Sequence, residues 1–425
     1  MEECAIMVKL MRKTRLQDWY EYYRTPCPIC GHTGGCMGHK DGEVVACIRV
    51  ISEKHFSKNS ALPSYLHYLK GESKRKISKE EVSEFTQGNQ KKEDVTLDTV
   101  YQAFLESLEL DDVHYEHLIS KERQLSDKQV MIRNYRSFPD KPWNVVKKIT
   151  ELTGMEDFSG IPGFYQYKNF WTIAGMKGIL IPFRNHYNQI VGFQYRIDNP
   201  PNVAEVKTNG TDLKAKVLTQ PNTVQISLKG EILQETNIPV SKEWTTISQD
   251  NEILGWVRVV KGNRYYWLSS SNKTNGTGSG NPAPLHIAVP SSQLVNWEPG
   301  KLHKAKSAWL GEGPLKGDIA VDCMEKLYDP LELEDIGTTF VSLPGVGAWR
   351  LAIPVLKDMG VETVNLCFDA DAVSNPHVRQ HLMECAKQLK VDGFSANLVI
   401  WNAEEGKGID DLFLSNQLPH IKRMF

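Results

Sequence analysis

The amino-acid sequence predicts a multi-domain α/β protein. Its expected parts are a small metal-binding module, a small helical unit, a mixed α+β core with a β-rich insertion, and a C-terminal Rossmann-like α/β domain. Three features lead to this prediction: a cluster of cysteines near the amino terminus, a polar segment after it, and alternating strand and helix patterns in the last quarter of the chain. With 425 residues, of which 40% are hydrophobic, the chain is long enough for about two to four domains.

The charge balance excludes a protein that binds polyanions through its overall field. The chain carries 50 lysines and arginines against 52 aspartates and glutamates, a formal net charge of −2. Contact with nucleic acid therefore depends on local basic patches. No stretch approaches the roughly 18 apolar residues that a membrane helix needs, and the amino-terminal residues lack the pattern of a signal peptide. We therefore expect a cytoplasmic protein without membrane association.

Four of the eight cysteines are clustered, which in a reducing compartment indicates metal binding rather than disulfides. In CPICG, a tight turn aims two thiolates at one point, and a hairpin with its turn near residues 40–42 would return the last cysteine to the same place. His32 and His39 are alternative candidates for a ligand position, since the fourth ligand is less clearly defined by the sequence than the two cysteines of CPICG. A closed site of four ligands is structural, because no coordination position is left for a substrate. The pattern predicts a structural zinc ribbon with the ligands Cys27, Cys30, Cys36 and Cys47.

Shifts in composition give the domain boundaries. Residues 70–94 are rich in lysine and nearly devoid of apolar side chains, which indicates a solvated linker. Helical spacing follows, with Ser126 as an expected N-cap. The segments predicted are a zinc ribbon over 1–60, a polar linker over 61–95, a helical unit over 96–160, a core subdomain over 161–305 with a β-rich insertion near 203–260, and a C-terminal α/β domain over 306–425.

Between the helical unit and the C-terminal domain, the pattern changes to strands. GILIPFRN and QIVGFQYRID are two strand-like runs joined by HYN, which predicts a hairpin. Further along, RYYWLSSSNKTNGTGSGNPAP is an aromatic strand that runs into a loop rich in serine, glycine and asparagine. Such a loop either wraps a phosphate with its backbone amides or is simply flexible.

In the last quarter, carboxylates follow three predicted strands. Strand and helix patterns alternate from residue 308 onward, which indicates a mostly parallel sheet with helices on its faces. Ligands of such sheets gather at the carboxyl ends of the strands. Asp369 and Asp371 are two residues apart, so they face a common site if the chain stays extended. Convergent carboxylates hold Mg²⁺ beside phosphates. The strand ends carry Glu312, the pair Asp369 and Asp371, and the pair Asp410 and Asp411.

These motifs resemble a known family. LGEGPLKGDIA, LCFDADA and GKGIDD resemble the Toprim domain shared by bacterial primases, topoisomerases and related nucleases. GILIPFRNHYNQIVGFQYRID resembles the start of the RNA-polymerase core of the bacterial replicative primase, and RYYWLSS stands where that family has a Lys-Tyr-Leu-Asn-Ser-like segment. The resemblance spans residues 25–50 and 160–415. The order of ribbon, polymerase core and Toprim domain is that of a primase. Within primases, the chain looks most like the divergent type of phages, plasmids and mobile elements.

The resemblance implies a DNA primase, a nucleotidyltransferase that makes short RNA primers on a single-stranded DNA template. Its substrates would be nucleoside triphosphates. It would act in the replication of a phage, plasmid or mobile genetic element, together with a separate replicative helicase. A P-loop motif is absent from the sequence. Two alternatives remain: a Toprim-type nuclease, and a non-catalytic DNA-binding factor of replication or recombination.

The resemblance also implies roles for particular residues. Glu312, Asp369 and Asp371 would be catalytic and would hold Mg²⁺ or Mn²⁺ for two-metal nucleotidyl transfer. Asp410 or Asp411 would complete the metal shell. The zinc ribbon would bind the template. The residues expected to contact the nucleotide or the template are Arg184, Arg196, Arg264 and Lys316, of which Arg196 matches the family's arginine and Arg264 stands in for its lysine.

Overall fold

The computed structural model describes residues 11–14, 16–23, 25–50, 52, 54–57, 64–69, 90–208, 210–250, 252–271, 273–280, 283–369 and 376–425. Over these residues the protein has a mixed α/β fold that divides into two compact units. The first unit comprises Met1–Gly175, Leu180–Gln194 and Trp267–Phe425, and the second comprises Met176–Ile179 and Tyr195–Tyr266. Among the described residues, no helix is long and apolar enough to cross a membrane.

The amino-terminal region forms a six-stranded sheet in the order β1-β2-β3-β4-β6-β5, in which every neighbouring pair is antiparallel. The predicted hairpin is present, with Met37 opposite Ala46 and Gly42 in the turn at a φ of 71°. Glycine adopts this left-handed conformation without steric cost. The strands are β1 (Arg12–Lys13), β2 (Trp19–Glu21), β3 (Met37–His39), β4 (Val44–Cys47), β5 (His55–Ser57) and β6 (Ser64–Tyr68).

Strand β6 lies inside the segment predicted as a polar linker, so that prediction is wrong at these residues. It pairs with all of β4, and Tyr65 is 1% exposed. The five-residue run SYLHY supplies enough apolar surface to join the sheet despite the charged sequence after it. The linker prediction also fails at its end, because the first helix begins at Asp94. Residues 70–89 lie outside the described residues, and the other domain boundaries stay predictions.

Four helices follow. The helical spacing in the sequence predicts the first three of them but not the fourth. Ser126 caps the third helix, because its side chain accepts a hydrogen bond from the backbone N–H of Gln129, whose side chain bonds back to Ser126. Gly154 ends the fourth helix at a φ of 69°. The elements are α1 (Asp94–Glu106), α2 (Asp112–Ile119), α3 (Asp127–Arg133), β7 (Arg136–Ser137), α4 (Pro142–Thr153), β8 (Phe164–Tyr167), β9 (Phe170–Ile173), β10 (Gly178–Arg184) and β11 (Ile190–Ile197).

The β-rich insertion forms most of the second unit. Two three-stranded antiparallel sheets, in the orders β12-β17-β16 and β13-β14-β15, share one hydrophobic core that includes Val224, Ile226 and Val257. As the sequence predicts, no helix lies within the described residues of this insertion. The strands are β12 (Asn202–Thr208), β13 (Leu213–Thr219), β14 (Thr223–Leu228), β15 (Glu231–Asn237), β16 (Thr245–Gln249) and β17 (Glu252–Lys261).

The C-terminal region alternates between strands and helices from Ser307 onward, which agrees with the alternation predicted from residue 308. Its elements are β18 (Tyr265–Trp267), β19 (His286–Ala288), α5 (Ser291–Leu294), β20 (Ser307–Glu312), α6 (Pro314–Leu327), α7 (Pro330–Ile336), β21 (Thr339–Leu343), a 3₁₀ helix (Val346–Leu351), α8 (Ala352–Met359), β22 (Thr363–Cys367), α9 (Pro376–Val391), β23 (Ser395–Ile400), α10 (Ile409–Leu414) and β24 (His420–Arg423).

Six of these strands form one sheet in the order β19-β21-β20-β22-β23-β24. The four central strands are parallel, and the two edge strands are antiparallel to their neighbours. Separate buried clusters cover the sheet, one centred on Leu310 and Leu366 and the other on Trp309 and Phe340. The carboxyl ends of β20, β22 and β23 therefore meet at one edge. The predicted hairpin strands β10 and β11 are neighbours in a smaller sheet, β18-β11-β10-β7.

Candidate functional site

The four clustered cysteines converge in the amino-terminal sheet. The Sγ atoms of Cys27, Cys30, Cys36 and Cys47 all lie within 4.8 Å of one another. The Sγ atom of Cys36 lies 3.7 Å from the Sγ atom of Cys30 and 3.7 Å from that of Cys47. Four thiolates around a tetrahedral Zn²⁺ at about 2.3 Å would be about 3.8 Å apart. The donor set and spacing therefore fit a structural zinc ion.

The two histidines that the sequence offers as alternative metal ligands contact other groups instead. The Nδ1 atom of His32 lies 2.7 Å from the backbone oxygen of Cys30 on the exposed side of the turn. The Nδ1 atom of His39 lies 2.8 Å from Asp41. Neither histidine belongs to the group that can hold an ion.

Hydrogen bonds surround the cysteine sulfurs. Backbone N–H groups of Arg49 and Val50 donate to Cys47 Sγ at 3.4 and 3.3 Å, and that of Ile48 donates to Cys36 Sγ at 3.5 Å. The Arg49 guanidinium donates to Cys36 Sγ at 3.5 Å. Such donors orient thiolate ligands and offset their negative charge.

Acidic side chains collect at the carboxyl edge of the C-terminal sheet. Glu312 is the last residue of β20, and Asp369 stands two residues beyond the end of β22. Asp410 and Asp411 lie in the first turn of α10, which follows β23. Asp371 lies outside the described residues, so its predicted position beside Asp369 stays a prediction.

Lys316 connects the first two strand ends. It lies in the first turn of α6, and its Nζ atom is 2.5 Å from Asp369 Oδ1. Burial alone would lower the pKa of Lys316, but the nearby charges of Asp369, Asp410 and Glu312 outweigh burial and raise it. The ammonium group is therefore a fixed positive charge among these carboxylates.

Asp410 is a buried carboxylate whose two oxygen atoms differ in their hydrogen bonding. It is 1% exposed, and its Oδ2 atom accepts a hydrogen bond of 3.1 Å from Arg123. Within the described part of the chain, its Oδ1 atom is buried without a hydrogen-bond partner. Burial and the neighbouring Asp411 raise the pKa of Asp410. A buried carboxylate oxygen without a partner beside other carboxylates fits a divalent cation with oxygen ligands.

Gly408 allows this close packing. A Cβ atom at this position would collide with Asp410 Oδ1 and press on the end of Lys316. Its backbone N–H donates to Asp411 Oδ2 at 3.1 Å, which directs the Asp411 side chain toward the start of its own helix. The turn thus places Asp410, rather than Asp411, beside Lys316.

The predicted arginines lie in different surroundings. Arg184 is 6% exposed, and its guanidinium donates to Asn188 Oδ1 at 3.3 Å. This side chain packs in the core of the described fold, and its contact with nucleotide or template phosphates stays a prediction. Arg196, half-buried, and Arg264, exposed, belong to the second unit, and their roles stay predictions.

Sequence reasoning missed a buried ionic network on the opposite side of α6. Arg133 donates to Asp318 and Asp322, and Tyr135 donates to Asp318 at 2.6 Å. His286 Nδ1 accepts from the backbone N–H of Arg184, so its Nε2 carries the proton and donates to Asp318 at 3.1 Å. The signal was present, because Asp318 and Asp322 are four residues apart and so share one face of a helix. Arg123 was also missed, since it lies 287 residues from Asp410.

Comparisons with known proteins give the following matches. A protein-family model described as a domain of unknown function (DUF3854) matches residues 332–418. A comparison with curated proteins finds no match. One similar solved structure contains the zinc-binding and RNA polymerase domains of the Aquifex aeolicus primase, with 12% identity over 97% of this chain and 79% of that chain and a TM-score of 0.41. A DnaG primase catalytic domain bound to single-stranded DNA matches with 13% identity over 76% of this chain and 80% of that chain and a TM-score of 0.39. A DNA primase domain from Pseudomonas aeruginosa matches with 11% identity over 77% of this chain and 79% of that chain and a TM-score of 0.40.

These structural neighbours are bacterial primase domains, the class that the sequence resembles. At these identities and TM-scores, any argument about function rests on the residues and geometry of the site itself.

Proposed function

We propose that this protein is a DNA primase that synthesises short RNA primers on single-stranded DNA. The observation that carries the proposal is the acidic edge, where Lys316 lies among Glu312, Asp369 and Asp410 at the carboxyl ends of parallel strands. The second support is the four-cysteine centre on the same chain. The sequence resemblance to bacterial primases unites the two features in one function.

The acidic edge would perform nucleotidyl transfer. Glu312, Asp369, Asp371 and Asp410, with Asp411 close by, would hold Mg²⁺ or Mn²⁺, which supplies charge neutralisation for the triphosphate and activation of the primer 3′-hydroxyl. Lys316 pairs with Asp369 and would also attract the negative phosphates of the incoming nucleotide. Arg123 orients Asp410 by donating to its Oδ2 atom, and its positive charge partly offsets the rise in the pKa of this carboxyl.

The four-cysteine centre would hold a structural zinc ion and stabilise a template-binding surface. The closed ligand set leaves no position for chemistry at this metal. The sequence resemblance extends the proposal to replication of a phage, plasmid or mobile element, with a separate helicase as partner.

Primer synthesis tests the proposal directly. Purified protein is incubated with single-stranded DNA of mixed sequence, labelled ribonucleotides and Mg²⁺ or Mn²⁺, with Asp369→Ala in parallel. We expect short labelled products from the wild type, and at least a hundredfold less from the variant, since loss of groups that only support a metal ligand already costs about 10–100-fold. Degradation of the template would instead indicate the nuclease alternative. The absence of both products would overturn the proposal.

A further inference from the structure

The hairpin formed by β8 and β9 exposes aromatic rings to solvent. Tyr167 is 53% exposed and Phe170 is 46% exposed, although burying such rings is normally favourable. The two residues are directly opposite in the register, as are Tyr165 and Thr172. Opposed residues of an antiparallel pair point to the same face, so Tyr165, Tyr167 and Phe170 share one face of the hairpin. The rings of Tyr167 and Phe170 are 5.7 Å apart.

Two lysines lie against these rings. The Nζ atom of Lys168 is 5.7 Å from the centre of the Tyr167 ring, and that of Lys273 is 5.6 Å from the centre of the Tyr165 ring. Both lysines are exposed. The face therefore combines aromatic surface with positive charge, which is the composition of surfaces that bind single-stranded nucleic acid.

Lys273 belongs to the loop rich in serine, glycine and asparagine, and hydrogen bonds join this loop to the hairpin. The backbone N–H of Gln166 donates to Thr274 O at 2.9 Å, and the side chain of Asn275 donates to Gln166 Oε1 at 2.7 Å. Ser270 is 1% exposed and donates to Phe164 O at 2.5 Å. These bonds join the described part of the loop to the hairpin.

The two chain segments that contain the hairpin and the loop have no carboxylate side chains. No aspartate or glutamate occurs in residues 159–197 or 253–297, which contain the hairpin and the loop. The nearest carboxylate before the hairpin, Asp157, accepts a hydrogen bond of 3.0 Å from Ser159. The hairpin and the loop therefore contribute lysines and no carboxylate to this face, and a chain of phosphates favours such a charge balance.

We propose that Tyr165, Tyr167 and Phe170, with Lys168 and Lys273, form a stacking platform for single-stranded DNA. Bases would stack on the rings, and the two lysines would contact the flanking phosphates. This inference rests on the proposed function, because it gives a primase a template surface apart from the acidic edge and the zinc ribbon.

Binding is measured by fluorescence anisotropy of a labelled oligothymidylate with the full-length protein, without nucleotides or added Mg²⁺. Tyr167→Ala and Phe170→Ala should each weaken binding by about fivefold or more, because each stacked base contributes about 1–3 kcal/mol. Tyr167→Phe should restore binding, whereas Tyr167→Leu should not, since leucine is apolar but cannot stack. Trp143→Ala is the matched control, because Trp143 is also 46% exposed but lies on helix α4.

The lysines are tested by the salt dependence of binding. Removing one phosphate contact on a single strand should reduce the slope of log K against log salt by about 0.7. We expect this reduction for Lys168→Gln and for Lys273→Gln. Photocrosslinking of an oligonucleotide containing 5-iodouracil should also place adducts on peptides from the hairpin.

The inference is overturned if the wild type does not bind the oligonucleotide, if the hairpin variants bind as the wild type does, or if Trp143→Ala loses as much affinity as they do. Asp369→Ala separates this inference from the proposed function. It should bind the oligonucleotide normally while failing to make primers, so loss of the platform and loss of the chemistry give different results.

Discussion

Helix α6 carries two charged clusters whose charges are compensated to very different degrees. On one side, Asp318 accepts hydrogen bonds from Arg133, Tyr135 and His286, and Asp322 accepts from Arg133 and from Ser291. Every carboxylate oxygen of this network has a donor among the described residues. Burial alone would raise the pKa of Asp318, but Arg133 and His286 outweigh it and lower the pKa to about 2.

On the other side, Lys316 faces three carboxylates at the acidic edge. Asp410 has a raised pKa and one buried oxygen without a donor in the described part of the chain. The two clusters therefore differ in purpose. A network in which all donors and acceptors are satisfied stabilises the fold, whereas a buried carboxylate left partly unsatisfied has capacity for a ligand.

The largest expected effect is the loss of Arg133. Arg133→Met leaves Asp318 and Asp322 buried without their cation, so the free energy of unfolding should fall by about 3–5 kcal/mol. Thermal and urea unfolding measure this change. Asp369→Ala is the control, because its side chain is partly exposed and its loss should change stability by about 0.5 kcal/mol or less. Equal stability of Arg133→Met and the wild type would remove the distinction between the clusters.

Asp410→Asn, unlike Arg133→Met, should preserve the stability of the fold, but it should reduce primer synthesis. Because the pKa of Asp410 is raised, its charge opposes folding at neutral pH, and the neutral amide should leave the protein as stable or more stable by about 0.5–2 kcal/mol. Primer synthesis should nevertheless fall by about 10–100-fold. A loss of stability as large as that of Arg133→Met would instead show that Asp410 belongs to the structural class.

Acid should distinguish the clusters as well. A carboxylate with a lowered pKa stabilises the fold above its unfolded pKa of about 3.9, and this contribution is lost as the pH falls toward 2. Asp318 should therefore contribute about 2 kcal/mol at neutral pH. The measurement compares the wild type with Asp318→Asn between pH 6 and pH 2. Their difference in unfolding free energy should shrink by that amount, and a constant difference would contradict the assignment.

The smallest expected effect is at Lys316. Lys316→Met removes the cation paired with Asp369, so Mg²⁺ should bind the acidic edge more readily and raise the Tm by about 2 °C more than it does in the wild type. Differential scanning fluorimetry with and without Mg²⁺ measures the shift. If Mg²⁺ raises the Tm of both proteins equally, Lys316 does not compete with the metal for this site.

Local patterns in the sequence predicted most of the C-terminal elements. The alternation of apolar runs gave β20 to β23, and Ser126 was correctly placed as a helix cap. Strand β6 was missed because five residues beside a long charged segment give too weak a pattern. Helix α7 was missed although Asp329 and Glu332 form a capping box at its start.

The candidate site was only partly predictable. The cysteines lie close together in sequence, and the acidic residues follow strands whose ends must meet in a parallel sheet. The cations that compensate the carboxylates could not be predicted, because Arg123 and Arg133 reach their partners across most of the chain. Long-range pairs leave no periodicity in the sequence.

The distance along the chain between Arg133 and Asp318 also affects how the protein is made. Asp318 is synthesised 185 residues after Arg133, which at about 5–20 residues per second takes roughly 10–40 s. During that time, the helices α1 to α4 have been synthesised, but the carboxylates that neutralise Arg133 in the folded protein have not. Arg133 can therefore reach its buried ion pairs only after α6 has been translated, so the helical unit completes its folding late in synthesis.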